Sequence, residues 1–135
     1  MNPIHKLQKK ALRICTNSSF CAPSRPLFHR LNTLNVFDIR KFQIALLMFK
    51  CVKHIAPKNI TSWFVCNDTI HNYNTRSKNK FHYCDVKNEN ILRLVRHQGP
   101  RIWNNLTQDL MSSTYFNPFR IKLKSNLVSA YSRTD

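Results

Sequence analysis

The stretch Val36-Phe37-Asp38-Ile39-Arg40-Lys41-Phe42-Gln43-Ile44-Ala45-Leu46-Leu47-Met48-Phe49-Lys50-Cys51-Val52-Lys53-His54-Ile55 decides the fold class of this chain. Its apolar residues Phe37, Ile39, Phe42, Ala45, Leu46, Met48, Phe49 and Val52 recur at helical spacing but cover more than one stripe. That pattern predicts a central core helix, covered on several sides. Asn35 offers a cap, Asp38 falls in the first turn where a negative charge suits the helix dipole, and Pro57 ends the element. The whole chain holds one glycine, against an average of roughly 7%. Tight hairpins need left-handed residues, so helices joined by Asn- and Pro-bearing loops are favoured over a sandwich or barrel. The expected fold is mainly α, a small helical domain with a long central helix.

On the N-terminal side, Pro3 to Cys15 reads as a helix with Asn2 as cap and Pro3 at its first position. Spacing puts Ile4, Leu7, Ala11, Ile14 and Cys15 on its inward face and Lys6, Lys9, Lys10 and Arg13 on the other. Asn17-Ser18-Ser19 breaks it, and Pro23 and Pro26 precede a short helical turn with Leu27, Phe28 and Leu31. On the C-terminal side a brief turn from Ile60 to Val65 carries Trp63 and Phe64. Beyond it the period is lost. Lys80-Phe81-His82-Tyr83 alternates and Ile91 to Arg96 fits a short strand, which leaves room for a two-stranded patch around residues 70–96. Gly99-Pro100 opens Arg101-Ile102-Trp103-Asn104-Asn105-Leu106, with Trp103 as a core anchor. The last helix is expected from Asn117-Pro118, with Phe119, Leu123, Leu127 and Ala130 inward and Arg120, Lys122 and Lys124 outward.

At 135 residues and 42% hydrophobic, the chain is sized for a single domain spanning 1–135. Six acids against 22 lysines and arginines give a net charge of +16, and the first 67 residues hold one acid, Asp38, against eleven cations. Such a charge predicts attraction to polyanions. Nucleic acid comes first and anionic membrane second, because the cations are spread along the chain and not gathered beside one apolar anchor. The most apolar run, Phe42 to Phe49, is far short of the roughly 20 residues of a membrane span. No apolar stretch follows the N-terminal cations, so a nuclear or cytoplasmic and not a secreted protein is expected. Five cysteines without a Cys-x-x-Cys pair agree with reduced thiols.

Between the two helical halves lies Ile70-His71-Asn72-Tyr73-Asn74-Thr75-Arg76-Ser77-Lys78-Asn79-Lys80. Arg76, Lys78 and Lys80 recur at every second position with no acid among them, and Tyr73 offers a flat ring. If extended, the run presents its three cations on one side to a phosphate backbone, with the ring available for base stacking. The same residues also suit a solvated basic loop whose Tyr73 folds back onto the core. Together with the outward face of the first helix they give the candidate nucleic-acid-binding set Lys6, Lys9, Lys10, Arg13, Tyr73, Arg76, Lys78 and Lys80.

Five stretches stand in a recognisable order: Leu7 to Ile14, Pro26-Leu27-Phe28-His29-Arg30-Leu31, Ile39 to Lys50, His71 to Ser77, and Gly99-Pro100-Arg101-Ile102-Trp103-Asn104-Asn105-Leu106. With the closing Phe119-Arg120-Ile121-Lys122-Leu123, the set resembles the region that follows the polymerase domain in non-LTR retrotransposon reverse transcriptases of the jockey and CR1-like kind. No single stretch is specific; the ordered set is. Thr107 departs from the pattern, since the family usually has proline there. The resemblance implies a region that assists RNA-templated DNA synthesis by holding template or primer, with RNA or DNA and the polymerase domain of the parent element as partners. It implies a fragment that lacks that polymerase domain. No catalysis is expected, because two-metal polymerase chemistry needs paired aspartates and Asp38, Asp68, Asp85, Glu89, Asp109 and Asp135 are all isolated.

Neither a metal nor another cofactor is expected. Cys66, His71, His82 and Cys84 are the only Cys and His residues close enough to suggest a zinc knuckle, and their spacing matches no structural zinc pattern. No local signature supports a Cys-His nucleophile. The alternative function is a helical interaction or structural module whose basic faces only solubilise it.

Overall fold

A computed structural model describes residues 2–70, 78–83 and 86–132. Its helices are α1 (Pro3–Cys15), α2 (Ser24–Arg30), α3 (Val36–Val52), α4 (Lys58–Thr61), α5 (Asn67–Ile70), α6 (Glu89–Leu92), α7 (Val95–Asn104), α8 (Gln108–Met111) and α9 (Phe116–Ser129). The protein is mainly α-helical, and α3 is the longest of these helices at 17 residues. By contacts the chain forms two compact units, Met1–Phe42 with Asn117–Asp135, and Gln43–Phe116.

In the first unit α1 begins as its sequence dictates: Asn2 accepts a hydrogen bond from the Ile4 amide and Pro3 occupies the first turn. Its buried face differs from the expected one. Ile4, Leu7 and Ile14 are 60, 67 and 70% exposed, and Leu12 is the buried apolar residue of the helix. The packed face is instead His5, Gln8, Leu12 and, just past the helix end, Thr16. Gln8 and Thr16 can turn inward because their polar groups are hydrogen-bonded, whereas His5 is held by its ring faces and its buried Nδ1 has no hydrogen-bond partner among the described residues. The His5 ring stacks on Phe28 and meets Phe37 edge-on. Gln8 donates to the Leu34 carbonyl at 2.8 Å and accepts from the Val36 amide at 3.0 Å, and Thr16 donates to the Leu12 carbonyl at 2.8 Å.

Asn35 caps α3 as expected, accepting from the Phe37 and Asp38 amides at 2.9 Å each. Asp38 receives the Asn35 side-chain amide, the Lys41 ammonium and the hydroxyl of Tyr131. Phe37 and Ile39 are 51 and 42% exposed, so the first turn of α3 is less buried than its apolar pattern suggests. In α9, Phe119 and Leu123 are buried as expected, Leu127 is half-buried, and Val128 takes the inward place assigned to Ala130, which is exposed.

Burial, then the hydrogen bond to Asp38, pushes the Tyr131 phenol well above the ordinary tyrosine value. The protonated phenol is favoured in the folded state, so its contribution is complete below the unfolded-state pKa of about 10 and is lost as pH rises through the folded value. The parent protein is therefore expected to lose stability above about pH 10 more steeply than Tyr131→Phe in urea melts across that range. Equal slopes would refute the assignment.

The second unit is organised on the later turns of α3. Between residues 42 and 51 only Gln43 and Lys50 are exposed, and Met48 and Phe49 are fully buried. Trp103 is buried, as the sequence suggests. Residues 91–96 are not a strand but the end of one helix, a turn and the start of the next: Asn88 caps α6 by accepting from the Asn90 amide, Glu89 pairs with Arg93 just past its end, and α7 starts at Val95 after an extended Leu94. Gly99 and Pro100 consequently lie inside α7 and do not open it. In place of a two-stranded patch, the described residues hold a single antiparallel bridge between Cys66 and Phe81.

Three helices end on a left-handed residue that is not glycine: Asn17, Asn32 and His54, at φ of 50°, 48° and 55°. Each stop carries the paired bonds of a Schellman cap. For α3 these run from the Ile55 amide to the Lys50 carbonyl at 2.8 Å and from the His54 amide to the Cys51 carbonyl at 3.1 Å. The helix therefore stops at Val52, before Pro57 is reached. The lone glycine is kept for another purpose: a Cβ on Gly99 would lie 2.7 Å from Met48 Sδ and 2.9 Å from Phe64 Cε1.

Candidate nucleic-acid interface

The cations assigned from the sequence divide between the two units. In the first, Lys6 and Lys10 are exposed on α1 and Lys9 is half-buried. Arg13 has a structural task, donating through Nε and Nη2 to the Ala22 carbonyl at 3.1 and 3.0 Å while its guanidinium lies over the Phe20 ring. In the second unit Lys78 and Lys80 are exposed. Tyr73 and Arg76, with the rest of 71–77, lie outside the described residues, as do Cys84 and Asp85.

Lys80 belongs to a segment held at several points. The Asn67 amide donates to the Lys80 carbonyl at 2.9 Å and the His82 amide to the Val65 carbonyl at 2.8 Å. Asn104 grips Phe81 by both backbone groups, accepting from its amide at 3.0 Å and donating to its carbonyl at 2.9 Å. One side chain thus does the work of a partner strand at that residue. The Phe81 ring turns inward and meets Phe64 edge-on, with centroids 6.3 Å apart. The alternation read from the sequence then leaves Lys80 and His82 exposed.

This segment borders two concavities. One, of about 410 Å³, has aliphatic walls from Val65, Val86, Ile91 and Leu94. The rings of Trp63 and Tyr83, 46 and 40% exposed, stand at it together with His82 and Arg96. Tyr83 is in turn set edge-on against buried His97, at 6.1 Å between centroids. The other concavity, of about 280 Å³, is polar and is lined by Asn67, Lys80, Asn104 and Asn105 as well as the 81–83 segment. Among the described residues that line the two concavities none is acidic. Flat apolar walls, two half-exposed rings and cations at the edge suit a planar, anionic ligand.

The sequence does not reveal the first concavity because its walls come from three separated segments with no common period. Trp63 and Tyr83, aromatics outside any apolar-periodic run, were the available signal.

Thiol chemistry gains no support from the geometry. Burial pushes the Cys51 thiol up, and burial followed by the charge of Asp68 does the same to Cys66, whereas a nucleophilic thiol needs the opposite shift. Among the described residues no three His, Cys, Asp or Glu side chains gather as a metal site. His71 and Cys84 of the possible zinc set fall outside them. No described helix is long and apolar enough to cross a membrane. Comparison of the chain with protein-family models, with curated proteins and with solved structures gives no match.

Proposed function

We propose that this chain is a non-catalytic nucleic-acid-binding region akin to the one that follows the polymerase domain in non-LTR retrotransposon reverse transcriptases, holding template or primer in the nucleus or cytoplasm. The observation that carries the proposal is the clamped segment Lys80 to Tyr83, set between an aromatic concavity and an asparagine-lined one, in a chain of net charge +16. Phosphate contacts by lysine and arginine give affinity with little sequence preference. The residues of the resemblance also have defined positions. Asn104 of the Trp-Asn-x-Leu run grips Phe81, and Thr107, where the family has proline, holds φ at −68°, the angle a proline ring fixes. The absence of any adjacent acid pair supports a binding and not a polymerising role.

A salt titration of RNA binding by fluorescence anisotropy tests this. Changing Arg76, Lys78 and Lys80 together to glutamine is expected to flatten the dependence of log K on log salt by about 2 to 3 units, whereas Tyr73→Ala lowers affinity without changing that slope. If the triple variant keeps both the slope and the affinity of the parent, the connector is only a solvated loop. A helical protein-interaction module then takes first place. The observation that favours it is α1, whose Ile4, Leu7 and Ile14 form an exposed apolar stripe beside Lys6 and Lys10.

A further inference from the structure

We infer that the aromatic concavity of the second unit takes an unpaired nucleobase, so that the protein prefers single-stranded to duplex nucleic acid. The inference rests on the nucleic-acid proposal and adds which part of the ligand is recognised, and where. Basic surfaces meet phosphates, which single strands and duplexes both carry, and so do not separate the two. A base does, because its face is available only when it is out of the helical stack.

Three features match such a base. The volume of about 410 Å³ lies within the roughly 300–1,000 Å³ of small-molecule sites and exceeds what one flat ring needs. Trp63 and Tyr83 are large rings left about half-exposed at its mouth, and Leu94 beside them is 54% exposed. Apolar surface left concave and open to water is the arrangement that a stacking ligand covers. Arg96 lines the same cavity and Lys80 the neighbouring one, so a phosphate joined to the seated base has cations within its own strand's path. The position of Tyr83 follows from the grip of Asn104 on Phe81 two residues earlier, which gives the mouth a fixed edge before any ligand arrives.

The test compares three probes of equal length: a single-stranded RNA, a single strand of abasic sites with the same number of phosphates, and the RNA strand annealed to its complement, which carries twice as many. The native protein is expected to bind the single strand about 5- to 150-fold more tightly than the abasic strand, the range given by one stacked base. Trp63→Ala is expected to remove that advantage while leaving duplex binding unchanged. Because a variant can disturb its surroundings, the native protein supplies a second measurement. Trp103 is buried and Trp63 is not, so the single strand should quench and shield from acrylamide the exposed part of the tryptophan emission, and the abasic strand should not. Equal affinity for the intact and abasic strands, with no change in Trp63 emission, overturns the base site and leaves phosphate binding standing. Failure of all three probes to bind at low salt overturns the nucleic-acid proposal itself.

Discussion

Phe49→Ala is expected to destabilise the protein by about 3–5 kcal/mol, the largest effect of any single truncation considered. Phe49 has no solvent exposure, its ring centroid lies 6.0 Å from that of Phe116, and the Lys53 ammonium stands 5.7 Å over its face. Removing the ring takes away both the transfer free energy of a buried aromatic and the contacts of everything lining the space it leaves. Ile39→Ala is the control. It lies in the same helix and has the same apolar rank in the sequence, but is 42% exposed, and is expected to cost about 1 kcal/mol or less. Urea melts followed at 222 nm read both. A loss at Phe49 no larger than at Ile39 would mean that the α3 pattern misidentifies the core.

That contrast marks what the sequence can disclose. The helical class, the start of α3 with its Asn35 cap and the Asn2-Pro3 start of α1 were all legible because each depends on residues a few positions apart, whereas the end of α3 at Val52 was not. Which stripe of α1 packs was not. The apolar arc of Ile4, Leu7 and Ile14 adjoins a polar arc, and the choice between them turns on whether Gln8 finds the Leu34 carbonyl and Val36 amide, partners 26 and 28 residues away. Residues 91–96 were misread for a related reason. Their β-branched and leucine content suits a strand, but Asn88 caps α6 through the Asn90 amide, so Ile91 and Leu92 close one short helix and Val95 opens the next. The candidate site was legible only in its charge. Lys78 and Lys80 could be assigned from spacing, whereas the concavity beside them depends on a clamp between Phe81 and Asn104, 23 residues apart.

Gly99→Ala is expected to destabilise the protein by about 1–3 kcal/mol, although alanine in an unhindered helix interior gains about 1 kcal/mol over glycine. The sign is reversed by space. The new Cβ would lie 2.7 Å from Met48 Sδ and 2.9 Å from Phe64 Cε1, closer than carbon atoms settle. Met48 is fully buried and Phe64 nearly so, which leaves the thioether little room to swing aside and the ring none to bend. A double-mutant cycle isolates the clash: Met48→Ala opens space beside Gly99, so the double variant should be more stable than the two single losses predict, by about 1 kcal/mol or more. Phe64 is also the ring against which Phe81 stands, so pressure on it reaches the segment that carries Lys80 and His82. Gly99→Ala should accordingly weaken RNA binding as well as folding. A Gly99→Ala protein as stable as the parent would show that α7 does not approach α3 as closely as these distances require.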